Sequence, residues 1–416
     1  MKVVIIAGGK GTRIASVNSE IPKSMIPVCG KPVIEHQVNM AARQGFKEFI
    51  FLIGYLGDQI QDYFGDGSRW GIHIDYYREQ TPLGTAGALA EITEQLSDNF
   101  FVFYGDTIMD IDMLAMRNFH QREHADATLF LHPNDHPYDS DIVLLDKEHR
   151  VKAFANKPHP ENFVSHNIVN AALFIFNKQI ISYIPKGRKS HIEKNILPLC
   201  LDKGLRIMGY ISHEYVKDMG TPDRYEHVCH DWQSGRIKSM NRRNKTKAVF
   251  LDRDGVVNFD CGQVFKPEQI KLIPGVEHAL NYIHEKGYLA VIVTNQSVIA
   301  RNLCDFDELD TINATIETFL GKKHAYYDAL YFCPHHPHGG YPEERKEYKI
   351  KCECRKPAPG LLFKAARDMN ISLEESFMIG DRDSDLQAGI NAGVKKSVKI
   401  DTNKEGALLQ AVKFLI

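Results

Sequence analysis

The sequence has no apolar run approaching the length that crosses a bilayer, which excludes a helical membrane-spanning protein. It also has no excess of charge: 51 Lys and Arg face 53 Asp and Glu, and a net −2 argues against general nucleic-acid or membrane-surface binding. The chain enters an apolar strand at once, Val3 to Ala7, without the apolar core and small-residue cleavage site of a signal peptide, so a cytoplasmic protein is expected. Cysteine is sparse. Eight in 416 residues do not make a disulfide framework. Five of them (Cys29, Cys200, Cys229, Cys261, Cys304) are scattered and read as small buried apolar residues, while three crowd between Cys333 and Cys354. Internal repeats and low-complexity segments are absent. What is present, 43% apolar and 25% charged residues over a length beyond a single core, describes a globular chain of two domains.

The rest is organised around Lys247-Ala-Val-Phe-Leu-Asp252-Arg-Asp254-Gly-Val-Val-Asn258. An apolar run typical of a buried parallel strand delivers two aspartates at its C-terminal edge, where open α/β sheets bind ligands. The stretch also restarts an α/β pattern. The segment before it, Ser234 to Lys245, is polar, basic and free of acidic residues, and reads as a solvated linker. The expected division is 1–235, a linker at 236–246, and 247–416.

The first half opens strand, then Gly8-Gly9-Lys10-Gly11-Thr12-Arg13, then Pro22-Lys23. Glycines directly after a strand let backbone N–H groups approach phosphate oxygens, and Arg13 and Lys23 add positive charge. A P-loop is excluded because the lysine precedes the last glycine, and a dinucleotide fingerprint because Ile14 stands where its third glycine belongs. Taken alone, such glycines make a tight turn. Further along, Leu83-Gly84-Thr85-Ala86-Gly87 opens a helix, and Asp106 and Asp218 each end an apolar run near glycine. Two such carboxylates can hold one Mg²⁺ between triphosphate oxygens, whereas one alone is commonly a turn residue.

In combination these motifs resemble the sugar-1-phosphate nucleotidyltransferases, across the whole first half, and most of all the mannose- and heptose-1-phosphate guanylyltransferases. The resemblance implies a Rossmann-like (GT-A-like) mixed sheet and in-line attack of a sugar 1-phosphate on the α-phosphate of GTP or another triphosphate. Gly8, Gly9, Gly11 and Thr12, with Gly84 and Thr85, would hold the nucleotide. Arg13 and Lys23 would counter the departing pyrophosphate, and Asp106 and Asp218 would anchor Mg²⁺. Lys157 stands where the family meets the sugar phosphate, and Glu193 where it binds sugar hydroxyls. The chain departs from the family at Asn156, where glutamate is usual, and at Ala171 and Ala172, near which glycine is favoured.

In the second half five apolar runs alternate with helical segments: Ala248 to Leu251, Tyr288 to Val293, Ala329 to Phe332, Phe377 to Ile379 and Ser397 to Ile400. That pattern predicts a doubly wound parallel sheet. Polar groups follow the strands: Asp252 and Asp254, Thr294-Asn295-Gln296-Ser297, Arg355-Lys356-Pro357, and Gly380-Asp381-Arg382-Asp383-Ser384-Asp385. Each taken singly is a helix cap, but as a set the carboxylates would repel one another without a cation. The set resembles the haloacid dehalogenase phosphatase superfamily. The resemblance makes Asp252 the nucleophile and Asp254 the proton-transfer group. Mg²⁺ would be held by Asp252, the Asp254 carbonyl and Asp381, and the phosphoryl oxygens gripped by Thr294 and Lys356, with Asn295 and Arg355 beside them and Asp385 as an orienter.

Cys333-Pro-His335-His336 and Cys352-Glu-Cys354 supply the ligand types of a closed structural zinc site across a loop poor in apolar residues. Spacing leaves the choice between His335 and His336 open. With Thr-Asn-Gln-Ser, the loop resembles that of the D,D-heptose bisphosphate phosphatases, with histidinol phosphatases as near relatives, and the resemblance selects Cys333, His335, Cys352 and Cys354. Val298 departs from it, standing where glycine is usual at the substrate mouth.

Together the two resemblances imply a phosphatase that removes the 7-phosphate of heptose 1,7-bisphosphate and a guanylyltransferase that turns the remaining 1-phosphate into GDP-heptose for surface polysaccharide. The alternatives are a mannose- or hexose-1-phosphate transferase with an independent phosphatase, or a zinc-stapled interaction module. Oligomeric state is left open.

Overall fold

The computed structural model describes residues 1–9, 20–339 and 343–416. The expected Gly11, Thr12 and Arg13 lie outside the described residues. Two compact units emerge: 1–132, 143–155 and 170–241 form the first, and 133–142, 156–169 and 242–416 the second. The chain divides inside the segment read as a linker, whose start is instead structured. Arg236–Ser239 is a helix, Ile237 is buried in an apolar cluster, and Arg236 pairs with Asp231 at 3.5 Å. The basic composition hid one apolar anchor.

In the first unit, strand Lys2–Ala7 lies between Glu48–Ile53 and Asn99–Tyr104, parallel to both, and His73–Arg78 extends the sheet beyond Glu48–Ile53. Val169–Asn177 joins antiparallel to Asn99–Tyr104 and makes the sheet mixed, nine strands in all. The expected strand Val3 to Ala7 falls in place within a residue. Ala127–His132, Ile142–Leu145, Val151–Ala155, Val169–Asn177 and Ile207–Ile211 complete the sheet. Phe49, Phe51, Phe101 and Phe103 are almost wholly buried in its core, each such side chain worth roughly 1.5–3 kcal/mol of transfer free energy. A two-stranded ribbon, Thr107–Asp110 against Tyr215–Asp218, sets Asp218 opposite Thr107, next to Asp106.

The second unit holds a five-stranded, all-parallel sheet in the order Ala329–Cys333, Tyr288–Asn295, Lys247–Leu251, Phe377–Gly380, Lys396–Lys399. Alternation along the central strand shows why its sequence is continuously apolar. Val249 and Leu251 pack toward helices Val276–Glu285, Phe306–Gly321 and Ala407–Leu415, while Ala248 and Phe250 pack toward Gly360–Met369 and Asp383–Ala392. The strand order reverses beside Lys247–Leu251, so Asp252 and Asp381 leave neighbouring strands at a switch point.

One expectation about cysteine is corrected. Cys200 and Cys304 are buried, but Cys29 and Cys261 are exposed and Cys229 is half-buried. Cys29 sits in the turn between two short strands at φ +47°, and Cys261 in a turn where the Asp260 carboxylate accepts the Gly262 N–H. Turn positions have no periodicity from which burial can be read. No helix among the described residues is long and apolar enough to cross a membrane.

Candidate functional site

In the second unit Asp252, Asp254, Thr294, Asn295, Arg355, Lys356 and Asp385 line one cleft of about 890 Å³, including open solvent at its mouth. Asp252 follows the central strand directly, and its N–H is donated to the Ile379 carbonyl of the neighbouring strand. Lys356, almost fully buried, stands 2.9 Å from Asp252 Oδ1 and 2.7 Å from Asp385 Oδ1. Burial pushes the Asp252 carboxyl above its ordinary value, and Lys356 opposes that rise. Burial likewise works against charge on Lys356, but the two carboxylates outweigh it and hold the ammonium protonated. Asn295 fixes the lysine's backbone from both sides, accepting its N–H at 3.0 Å and donating to its carbonyl at 3.1 Å.

Asp254 faces different partners. Arg253, wholly buried, donates to both its oxygens at 3.1 and 3.0 Å, and Asn258 and Gln296 each donate at 2.9 Å. Burial alone would raise this carboxyl, but Arg253 and the amides outweigh it and hold it below the ordinary range. Two aspartates two positions apart are thus given opposite environments, Asp252 raised by burial and Asp254 lowered by its donors. Gln296 also donates to Thr294 Oγ1 at 2.9 Å, which orients the hydroxyl on the adjacent strand end.

Asp252, Asp381 and Asp385 each offer a carboxylate oxygen within 4.8 Å of the others. Asp381 Oδ2 accepts from Thr402 at 2.8 Å, whereas its buried Oδ1 has no donor. Three carboxylates and an orphaned oxygen fit a hard divalent cation with oxygen ligands. Asp385 has further work, since its Oδ2 accepts the Arg382 N–H at 3.0 Å and its other oxygen meets Lys356.

The sulfurs of Cys333, Cys352 and Cys354 lie 3.2–3.5 Å apart, and His335 Nδ1 is 3.6 Å from Cys333 and 3.4 Å from Cys354. A disulfide would need about 2.05 Å. Four ligands around one tetrahedral zinc stand roughly 3.5–3.8 Å apart, so the donor set fits that ion. His336 turns elsewhere, its Nδ1 2.9 Å from the His338 carbonyl. Arg355 Nη1 donates to the His335 carbonyl at 2.9 Å, which links this cluster to the cleft wall. Val298 also lines the cleft.

In the first unit, Gly8 and Gly9 follow the central strand, and Gly8 passes so close to Glu79 that a Cβ would fall 2.3 Å from its carboxylate. Lys23 forms an ion pair with Asp106 and also lowers the Asp218 carboxyl, so one ammonium acts on both aspartates. Asp218 accepts from the Gly220 N–H at 2.8 Å and from Arg224 at 2.6 Å. The Asp106 carbonyl accepts the Met219 N–H at 3.0 Å, locking the two strand ends together. Beside them, Tyr104 donates to Glu193 at 2.7 Å, and Thr85 Oγ1 accepts the Ile192 N–H at 2.9 Å. Gly84 is at φ +77° with the Ser190 carbonyl 2.4 Å from any Cβ, so only glycine opens the helix there. Lys157 falls in the second unit, with its Nζ 2.6 Å from the Asp139 carbonyl and 3.0 Å from its carboxylate.

Residues 2–234 match the nucleotidyl transferase family, and residues 143–393 match the haloacid dehalogenase-like hydrolase family. The chain belongs to both. Its nucleotidyl transferase half is 34% identical over 224 residues to a mannose-1-phosphate guanylyltransferase of Mycobacterium tuberculosis, covering 53% of this chain and 62% of that protein's length. Its hydrolase half is 41% identical over 158 residues to a D-glycero-beta-D-manno-heptose-1,7-bisphosphate 7-phosphatase of Haemophilus influenzae, covering 38% of this chain and 83% of that one. The transferase fold matches a solved Bacillus anthracis protein described as a glucose-1-phosphate thymidylyltransferase, with TM-score 0.50 and 20% identity over 55% of this chain and 94% of that chain.

Within this nucleotidyl transferase–hydrolase, sequence reasoning passed over Arg253, Thr402, Tyr104 and Arg224, and named Gln296 without tying it to Asp254. Arg253 was visible as the residue between the paired aspartates, and the Asp254 carboxylate that it bonds explains why a cation stands there. Tyr104 precedes Gly105-Asp106, but nothing in the sequence tied it to Glu193, 89 positions on.

Proposed function

We propose that the chain is a bifunctional enzyme that removes the 7-phosphate of a heptose 1,7-bisphosphate and couples the remaining sugar 1-phosphate to GTP, forming GDP-heptose and pyrophosphate. The observation that carries this reading is the asymmetric aspartate pair, with Asp252 against Lys356 and the metal-capable cluster and Asp254 held apart by Arg253.

In the hydrolase half, an Asp252 oxygen attacks phosphorus, the bond to the sugar oxygen breaks, and Asp254, which first takes up a proton against the pull of Arg253, delivers it to the leaving alkoxide. Water, deprotonated by Asp254, then attacks the aspartyl phosphate and frees inorganic phosphate and Asp252. Lys356 and Thr294 hold the phosphoryl oxygens, and Arg355, fixed by the His335 carbonyl, adds charge at the cleft wall. Mg²⁺ held by Asp252, the Asp254 carbonyl and Asp381 supplies neutralisation of phosphoryl charge. Zinc held by Cys333, His335, Cys352 and Cys354 staples the loop that carries Arg355 and Lys356.

In the transferase half, an oxygen of the sugar 1-phosphate displaces pyrophosphate from the α-phosphorus without a covalent enzyme intermediate, so catalysis is positioning and charge neutralisation. Gly8, Gly9, Gly11 and Thr12 hold triphosphate oxygens, with Gly84 and Thr85 beside the nucleotide. Lys23 and Arg13 counter the leaving group, and Asp106 and Asp218 hold Mg²⁺. Lys157 meets the sugar phosphate and Glu193 the sugar hydroxyls.

The test is to incubate the enzyme with heptose 1,7-bisphosphate, heptose 1-phosphate or mannose 1-phosphate, each with GTP, CTP, UTP or ATP. Release of phosphate from the bisphosphate, and of pyrophosphate with GTP preferred, is expected. Preference for another base sinks the guanylyl assignment, and preference for mannose 1-phosphate separates the two halves into independent activities.

A further inference from the structure

Strand Asn99–Tyr104 of the first unit ends on a tyrosine, directly before the Gly105-Asp106 turn. Backbone, ring and hydroxyl of that tyrosine are each held. Gln37, wholly buried, donates from Nε2 to the Tyr104 carbonyl at 2.8 Å and to the Thr107 carbonyl at 2.7 Å, so the chain is fixed on both sides of Asp106. The ring stands 6.1 Å from that of Phe174, which is buried in the neighbouring antiparallel strand. The hydroxyl donates to Glu193 Oε1 at 2.7 Å. Phenylalanine would pack against Phe174 just as well, so packing alone does not call for the hydroxyl. Its bond to a carboxylate is of the stronger, charge-assisted kind.

Glu193 sits on an irregular element of the same unit. Ile192–Ile196 is a single π-helical turn, a winding found mostly as one turn and often at functional sites. The turn is pinned at its start: the Thr85 hydroxyl accepts the Ile192 N–H at 2.9 Å, and Asn195 Oδ1 accepts the His191 N–H at 2.8 Å. Ile192 is wholly buried, whereas the long side chain of Glu193 is only half-buried and carries rotamer freedom that a binding group must lose. Tyr104 takes up that freedom from a strand end 89 positions earlier. Adjacent residues are thus tied to different elements, Ile192 to the helix Gly84–Glu91 and Glu193 to the strand that leads into Asp106.

We propose that Tyr104 is a positioning residue for the transferase reaction: its hydroxyl sets the Glu193 carboxylate in the orientation that accepts hydrogen bonds from the hydroxyls of the sugar 1-phosphate. This rests on the role given to Glu193 above. One strand end then fixes both the carboxylate that meets the sugar and the turn that carries Asp106.

Tyr104→Phe, Glu193→Ala and the double variant, made in the full chain, are assayed with GTP and heptose 1-phosphate or mannose 1-phosphate. Tyr104→Phe should raise KM for the sugar 1-phosphate roughly tenfold, the size of a lost hydrogen bond to a charged group, with KM for GTP within about twofold of wild type. In the Glu193→Ala background the same substitution should add little, because the carboxylate that it orients is gone. An unchanged sugar-phosphate KM in Tyr104→Phe overturns the inference, as does an equal rise in both KM values or full additivity with Glu193→Ala. If Glu193→Ala itself leaves the sugar-phosphate KM unchanged, the role of Glu193 fails and the inference with it. If the wild-type chain shows no transferase turnover at all, the proposed function fails, and the inference falls with it.

Discussion

The two phosphate sites of this chain solve the same electrostatic problem in different ways. In the hydrolase half, the carboxylates of Asp252 and Asp385 close on a buried lysine, and Asp381 keeps one oxygen without a donor. In the transferase half, Asp106 and Asp218 stand at the ends of a two-stranded ribbon, and their counter-charges Lys23 and Arg224 are partly exposed. A buried site must be neutralised internally before substrate arrives, because leaving one member unpaired in low dielectric costs several kcal/mol. An open site can leave part of that work to solvent and its counter-ions. The contrast is between carboxylates that converge on one buried lysine in the hydrolase half and aspartates that rely on partly exposed partners in the transferase half.

The sharpest way to break this contrast is Asp252→Asn. It should lower phosphatase kcat by at least roughly 10³-fold, while pyrophosphate release from heptose 1-phosphate and GTP continues unchanged. If transferase turnover falls in step, the sites are not chemically separate. Next is Cys354→Ser, which should abolish stoichiometric zinc by elemental analysis and lower phosphatase activity by about 10²-fold or more, through loss of order at Arg355 and Lys356. Retained zinc would show that three ligands suffice and that the cluster is less tightly specified than its spacing implies. On the open side, Asp106→Asn should cost the transferase roughly 10²- to 10³-fold in kcat with phosphatase untouched. A smaller loss would mean that Asp218 carries the metal alone.

Asp385→Ala tests burial itself. It leaves Lys356 with one carboxylate and should reduce unfolding free energy by about 3 kcal/mol, read from chemical denaturation. The same removal of charge at half-exposed Asp218 should change stability by less, about 1 kcal/mol. The smallest effect concerns the half-buried His166. Burial acts against its charge, but Glu317 and Asp310 raise its folded value above the unfolded 6.5 to about 10, so its contribution is complete below about pH 6.5 and fades as pH rises through 10. Amide exchange of residues 156–169 should therefore quicken, beyond the intrinsic base catalysis, as pH rises through that window. His166→Gln should remove the dependence.

Much of this was legible beforehand, and unevenly. The continuous apolar runs announced a parallel sheet covered on both faces, and the five strands of the second unit appear within a residue or two of their expected positions. Asp252, Thr294, Lys356 and the Cys/His cluster were readable because their chemistry is unusual at strand ends. The antiparallel strands that complete the first sheet were not singled out, since the motifs there carry less of the sheet than the residues between them. The partners that set each carboxylate's behaviour were less legible still. Arg253 is adjacent in sequence to both aspartates yet bonds one of them through its guanidinium, a choice made by side-chain direction at a buried strand end.

The sequence by itself determined the chemistry. Carboxylates and thiolates can be placed by type and spacing, because those side chains are costly to bury without a purpose and strands alternate with a fixed period. Only the tertiary structure decided which groups share a charge and which unit holds a given segment. Residues 156–169 read as part of the first half, and what assigns them to the second is Glu317 and Thr318, about 150 positions further along. Hydrogen bonds over such separations depend on how the helices stack on the sheet, and no local pattern encodes that.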